Sequence, residues 1–206
     1  KARFEKEYSN TAEAALAAPI ALRFFQMEPV EGILSSCREP IEMRLGGLVR
    51  IWKKPVVAGK YIAGADCAGG HKGSYSCVPI ADYVTGEQVA EIYGRPSGDE
   101  LAQVIFDTLT QYNKAYLVCE ANTENIHIIN KLIALGYGPR MYHRGENWRE
   151  EEKHRGFLTS GVTRPPILTS LEEAVRLRGV TPVCKEAPKE MMAFIRPKEH
   201  PNHPEA

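Results

Sequence analysis

The order of apolar segments after Lys60 is what most constrains this chain. Tyr61-Ile62-Ala63-Gly64-Ala65-Asp66 reads as a short strand ending in an acid. A glycine-rich turn follows, with Gly69, Gly70 and Gly73. Ser76 to Tyr83 reads as a second strand, perturbed by Pro79. Thr85-Gly86 is turn chemistry, and Gln88 to Tyr93 alternates like a third strand. Ser97 is placed to cap a helix whose apolar positions are Leu101, Val104, Ile105, Leu109 and Tyr112. Ala115 to Glu120 is a fourth strand, again ending in an acid. Ile126, Ile129, Leu132 and Ile133 mark a second helix that stops near Gly136. Met141-Tyr142-His143 reads as a fifth strand, and Thr163-Arg164-Pro165-Pro166 opens a third helix. Val180 to Cys184 is a candidate last strand and Pro188 to Ile195 a last helix. Residues 21–60, broken by Pro29, Pro40 and Pro55, read as irregular.

Three strands joined by short turns form an antiparallel meander, whereas strands alternating with helices join in parallel by crossovers. The expected class is α/β: a mixed sheet, antiparallel in its first three strands and parallel thereafter, flanked by helices. In that order the strands ending at Asp66 and Glu120 can be neighbours. Two carboxylates brought together are costly unless a cation neutralises them. A site of carboxylates, with no cysteine cluster, favours Mg²⁺ or Mn²⁺ over Zn²⁺. Two such ions are a known device for phosphodiester cleavage. Either acid alone reads equally well as a solvated loop residue or a helix cap.

Net charge is +0 over 206 residues, which excludes a strongly basic nucleic-acid coat protein and an acidic tail protein. The zero is uneven along the chain. Residues 61–139 carry 4 basic and 9 acidic side chains, while 140–164 carry 6 and 4. Differences this small also arise by chance. Five cysteines without a C-x-x-C pair argue against a zinc site or a disulfide framework and fit a reducing cytoplasm. The longest uncharged stretch near the N-terminus, Ala14 to Leu22, is too short to span a bilayer, so no membrane partner is expected. The chain starts without Met and finishes in a Pro- and His-rich stretch, which reads as a piece of a longer protein.

The strand ending at Asp66, with its glycine-rich turn and Tyr75-Ser76, resembles the first catalytic strand of the large terminase subunits of tailed phages. Tyr112 to Asn122 resembles that family's second acidic strand, with its acid-x-Asn ending. Gly156-Phe157-Leu158-Thr159 and Thr163-Arg164-Pro165 resemble its Gly-aromatic-x-Thr and Thr-Lys-Pro elements. Glu7-Tyr8 through Ala14-Ala15 resembles the segment leaving the family's ATPase domain. The resemblance implies an RNase H-like nuclease domain over residues 60–206, cut short before the third acidic motif. Residues 1–59 would then be a linker from an ATPase domain. It implies two-metal endonuclease cleavage of concatemeric double-stranded DNA, with Asp66 bridging both ions and Glu120 binding one. It further implies the portal protein, the small terminase subunit and the ATPase domain as partners. The setting would be the host cytoplasm, transiently at the procapsid portal.

Three departures stand out. Ser74 occupies a position that is often Asp in the family, and Arg164 stands for the usual Lys. No Asp follows Glu120, so the third acid falls beyond this sequence; Glu186, Glu190, His200 and His203 are poor substitutes. No Walker A loop occurs. DNA contact would fall on phosphates, through Lys72, Arg144, Arg149, Lys153, His154, Arg155 and Arg164. Glu146, Glu150, Glu151 and Glu152 are interleaved, so 144–155 reads equally well as a salt-bridged solvated loop. Trp52 and Trp148 read as packing residues, and His71 as a surface histidine. Two other readings stay open. One is a DNA-gripping or portal-docking module with a dormant nuclease. The other is an RNase H-like nuclease of resolvase or transposase type.

Overall fold

The computed structural model describes residues 23–68, 74–122, 125–144 and 155–195. The chain divides into two units, Glu39–Leu168, and Lys1–Arg38 together with Thr169–Ala206.

The first unit is built on a six-stranded sheet. Its strands are β1 (Glu42–Arg44), β2 (Val49–Ile51), β3 (Tyr61–Ala65), β4 (Ser76–Asp82), β5 (Gln88–Gly94) and β6 (Tyr116–Cys119). Their spatial order is β1-β2-β5-β4-β3-β6. All neighbours pair antiparallel except β3 and β6, which are parallel. The expected meander is β3–β4–β5, and the crossover to β6 runs through helix α2 (Gly98–Gln111).

β3 alternates as its sequence requires. Tyr61, Ala63 and Ala65 are buried, and Ile62, Gly64 and Asp66 face the other way. The buried face packs against α2 and α3 (Ile126–Ala134). Ser97 caps α2, its hydroxyl accepting from the Glu100 N–H at 3.3 Å. Leu101, Ile105 and Leu109 are fully buried, each worth about 2 kcal/mol against exposure to water. In α3 the buried residues are Ile128, Ile129 and Leu132, while Ile126 is exposed. Trp52 is buried, as expected of a packing residue.

Pro79 acts on the sheet in a specific way. The β3–β4 register, carried on to the Asp66↔Cys77 bridge, puts Pro79 opposite Gly64 at a hydrogen-bonded position. Pro79 has no N–H to donate, and the ladder is interrupted there. The Asp82–Gln88 connection is the expected tight turn, with Asp82 accepting from the Val84 and Thr85 N–H groups and Gly86 at φ +70°.

Three expectations are corrected. Residues 21–60 are not irregular throughout: they hold α1 (Met27–Ser36), β1 and β2, so the sheet reaches into the stretch expected to be linker. Met141–His143 forms bridges rather than a full strand, Met141 parallel to Leu117 and His143 antiparallel to Arg155. Val180–Cys184 contributes no strand to the sheet.

In the second unit, α1 packs with α5 (Glu186–Ala193). Phe25, Val30, Ile33 and Val175, the last from helix α4 (Arg164–Arg176), form its small core. No helix among the described residues is long and apolar enough to cross a membrane.

Candidate metal centre

β3 and β6 run side by side in register, with Ala65 paired to Cys119. The next residues on the two strands are Asp66 and Glu120, and the Glu120 N–H donates to the Ala65 carbonyl at 3.0 Å. Because side chains alternate along a strand, both acids point to the face opposite α2 and α3. The topology thus brings together the two acids that the sequence placed at strand ends. Gly64 precedes Asp66 by one alternation on that face, and among the described residues nothing lies within 4 Å of where its Cβ would stand.

Asp66 is exposed as a residue yet stands at a packed sheet end, where its carboxyl is partly desolvated. Partial desolvation raises its carboxyl pKa above the ordinary value, and the Glu120 charge raises it further. Below the acids, Cys67 and Cys119 are buried and their thiols are in contact. That hydrogen bond, burial, and the charges of Asp66 and Glu120 all push the Cys67 thiol up, so it stays protonated. The donors offered at this surface are therefore carboxylate oxygens, which suits a hard divalent cation. Among the described residues, no third Asp, Glu, His or Cys gathers with these two.

Neighbouring polar groups hold the acids in place. The Asn122 amide donates to Glu120 Oε2 at 3.3 Å, and its own oxygen accepts from the Asn125 N–H at 3.0 Å. Ser76, buried on β4, accepts from the Ala68 N–H and fixes the turn leaving Asp66. On the outer edge of β6, Phe157 bridges Glu120: its N–H donates to the Cys119 carbonyl and its carbonyl accepts from Ala121, both at 2.7 Å. The Gly156-Phe157 element is thereby set against the acid-bearing strand end.

The raised Asp66 pKa has a stability consequence. A carboxyl raised in the folded state binds its proton more tightly there than in the unfolded chain. Stability therefore falls as pH rises from the unfolded value through the folded one. Without metal, Asp66→Asn is expected to melt at or above the wild-type temperature near pH 7, with the difference vanishing below about pH 4. A lower melting temperature for Asp66→Asn at pH 7 would contradict this.

No protein-family model matches the chain, and no curated protein matches it significantly. Solved structures do match. The large terminase nuclease from thermophilic phage G20c with bound cobalt superposes with a TM-score of 0.63 at 16% identity, covering 88% of this chain and 91% of that one. The same nuclease with bound magnesium gives 0.58 at 16%, covering 81% and 76%. The Thermus phage P74-26 large terminase nuclease domain gives 0.50 at 18%, covering 76% and 72%. This is the fold of phage large-terminase nucleases. The terminase-nuclease sheet, with its antiparallel meander and parallel β3–β6 pair, is the RNase H-like architecture expected from the sequence.

On this terminase-nuclease fold the expected phosphate contacts fare unequally. Arg155 is corrected: it is only 5% exposed, and its guanidinium donates to the carbonyls of Gly138 at 2.6 Å and Met141 at 3.4 Å. It pins the turn after α3 rather than facing solvent. Arg144 is half-buried, and its buried Nε has no hydrogen-bond partner among the described residues. Arg164 is half-buried at the first residue of α4. Lys72, Arg149, Lys153, His71, Trp148 and His154 lie outside the described residues, as does Glu7–Ala15. Asn122 is the site residue that reasoning from charge passed over. Its only signal was its place two residues after an acid.

Proposed function

We propose that this chain is the metal-dependent endonuclease domain of a phage DNA-packaging terminase, cutting concatemeric double-stranded DNA. The observation that carries the reading is the in-register placement of Asp66 and Glu120 at adjoining ends of parallel β3 and β6. The terminase-nuclease fold supports it, as do the magnesium and cobalt bound by structures of that fold.

Asp66 and Glu120 would hold divalent cations, Mg²⁺ or Mn²⁺. Bound there, such ions supply a lowered water pKa and charge neutralisation at the phosphate. The chain's own contribution is positional. Asp66 offers a carboxylate whose proton is retained more readily than usual, so cation loading and deprotonation are coupled. Asn122 fixes the rotation of the Glu120 carboxylate. Gly64 puts no side chain of its own on the sheet face beside Asp66. The portal protein, the small terminase subunit and an ATPase domain are the partners of this reading, and the procapsid portal in the host cytoplasm is its setting.

The test is cleavage of supercoiled plasmid by the full-length protein with Mn²⁺ or Mg²⁺, against EDTA. Metal-dependent nicking and linearisation support the reading. Duplex binding with no cleavage in either metal would favour the DNA-gripping module instead. Asn122→Ala is expected to raise the Mn²⁺ concentration needed for half-maximal cleavage about tenfold, with little loss at saturating metal. An unchanged Mn²⁺ dependence would remove Asn122 from the site.

A further inference from the structure

Asp66, Cys77 and Tyr93 stand in one row across the sheet. Cys77 is opposite Asp66 in the β3–β4 pair and opposite Tyr93 in the β4–β5 pair. Directly opposed residues share a face, so Tyr93 is on the acid-bearing face. It lies two strand spacings, about 10 Å, from Asp66. Tyr75 stacks on Tyr93 with ring centroids 4.8 Å apart and planes 10° from parallel. The Arg95 guanidinium lies 4.1 Å from the Tyr75 centroid, and that of Arg50 lies 4.9 Å from the Tyr93 centroid. Two arginines and two tyrosines thus form one stack beside the acids.

The two ends of the stack differ. Arg50 is the inner cation: it pairs with buried Glu91 at 3.0 Å. Arg95 and Tyr75 are exposed, Tyr75 at 49%. A guanidinium over a ring is held in place while keeping its full positive charge. An exposed guanidinium is suited to contact with a phosphate. Tyr75 has Tyr93 against one face and Arg95 over the ring, so it is no platform for an unstacked base. The chemistry offered is therefore to backbone phosphate, not to bases.

We infer that Arg95, held on the Tyr75–Tyr93 stack, is a phosphate-binding residue for duplex DNA at the acid-bearing face. This deepens the nuclease reading and rests on it for the choice of ligand. With the cut phosphate at Asp66 and Glu120, Arg95 would meet a neighbouring phosphate of the same duplex. It also adds a positive charge to a sheet face whose two carboxylates otherwise repel DNA. Tyr75 and Tyr93 are positioning residues.

The test is fluorescence anisotropy of a labelled 20-base-pair duplex with the full-length protein, in EDTA, from about 50 to 200 mM salt. Arg95→Ala is expected to weaken binding about five- to tenfold at the low-salt end and to reduce the log–log salt slope by about 1. Tyr75→Phe keeps the slope, because the ring remains, and Tyr75→Ala loses part of it. Lys131→Ala, on helix α3 against the opposite face of the sheet, changes neither. A wild-type slope in Arg95→Ala would overturn the proposal. So would an equal change in Lys131→Ala, since the effect would then be diffuse charge. The nuclease reading fails separately. Wild type that does not cleave with Mn²⁺, while Arg95→Ala still lowers the slope, sinks the nuclease and keeps the phosphate site. Wild type that cleaves, with an unmoved slope in Arg95→Ala, does the reverse.

Discussion

Asp66→Asn and Glu120→Gln are each expected to slow Mn²⁺-dependent plasmid cleavage about 10³-fold or more, while leaving the protein folded. Both substitutions keep side-chain size and remove one negative oxygen ligand. The loss of a carboxylate that holds a catalytic cation is worth about 4 kcal/mol of barrier, which is about three powers of ten in rate. The fold gives independent grounds for expecting intact structure. Asp66 is exposed and its pKa is raised, so its charge opposes folding rather than supporting it. Glu120→Gln retains an oxygen able to accept from Asn122. The informative result is a dissociation of the two readouts: a melting temperature at or above wild type for Asp66→Asn, with cleavage abolished. Cleavage within twofold of wild type in both variants would remove the pair from the reaction.

Gly156→Ala is expected to destabilise the protein by about 3 kcal/mol, seen as a fall in melting temperature of about 10 °C. Two independent causes act at this position. Gly156 has φ +85°, a left-handed conformation that costs an L-residue about 1–2 kcal/mol. A methyl group there would also approach the Cys119 carbonyl to 2.8 Å, and Ala121 Cβ and Ile129 Cδ1 to 2.9 Å. One of the three is backbone of β6 and cannot swing aside. Relief would have to come from moving Phe157, which bridges Glu120. The substitution should therefore reduce cleavage as well as stability. A melting temperature within about 2 °C of wild type would show that the 156–157 segment is not packed against β6 as described.

The sequence displayed part of this site openly. β3, β5, α2 and β6 each carry a full run of alternating or helically spaced apolar residues. Asp66 and Glu120 follow such runs directly, so their place at strand ends could be read without coordinates. β1 and β2 could not. Strands of three residues have no period to detect and are defined by the neighbours they pair with. The place of Arg155 is hidden in the sequence for a related reason. In sequence it belongs to a run of charges, but in the fold two carbonyls of the 138–141 turn need a donor, and it supplies one from 14 and 17 residues away. The Arg95–Tyr75 stack was equally hidden. Tyr75 and Tyr93 are 18 positions apart, and only the β4–β5 register brings them face to face.

The most direct measurement is a crystal structure of the full-length protein in Mn²⁺, with anomalous difference maps collected at the manganese edge. Anomalous density is expected between the carboxylates of Asp66 and Glu120, and its loss in Asp66→Asn. Ordered Mn²⁺ elsewhere on the protein, with none at these two side chains, would contradict this expectation.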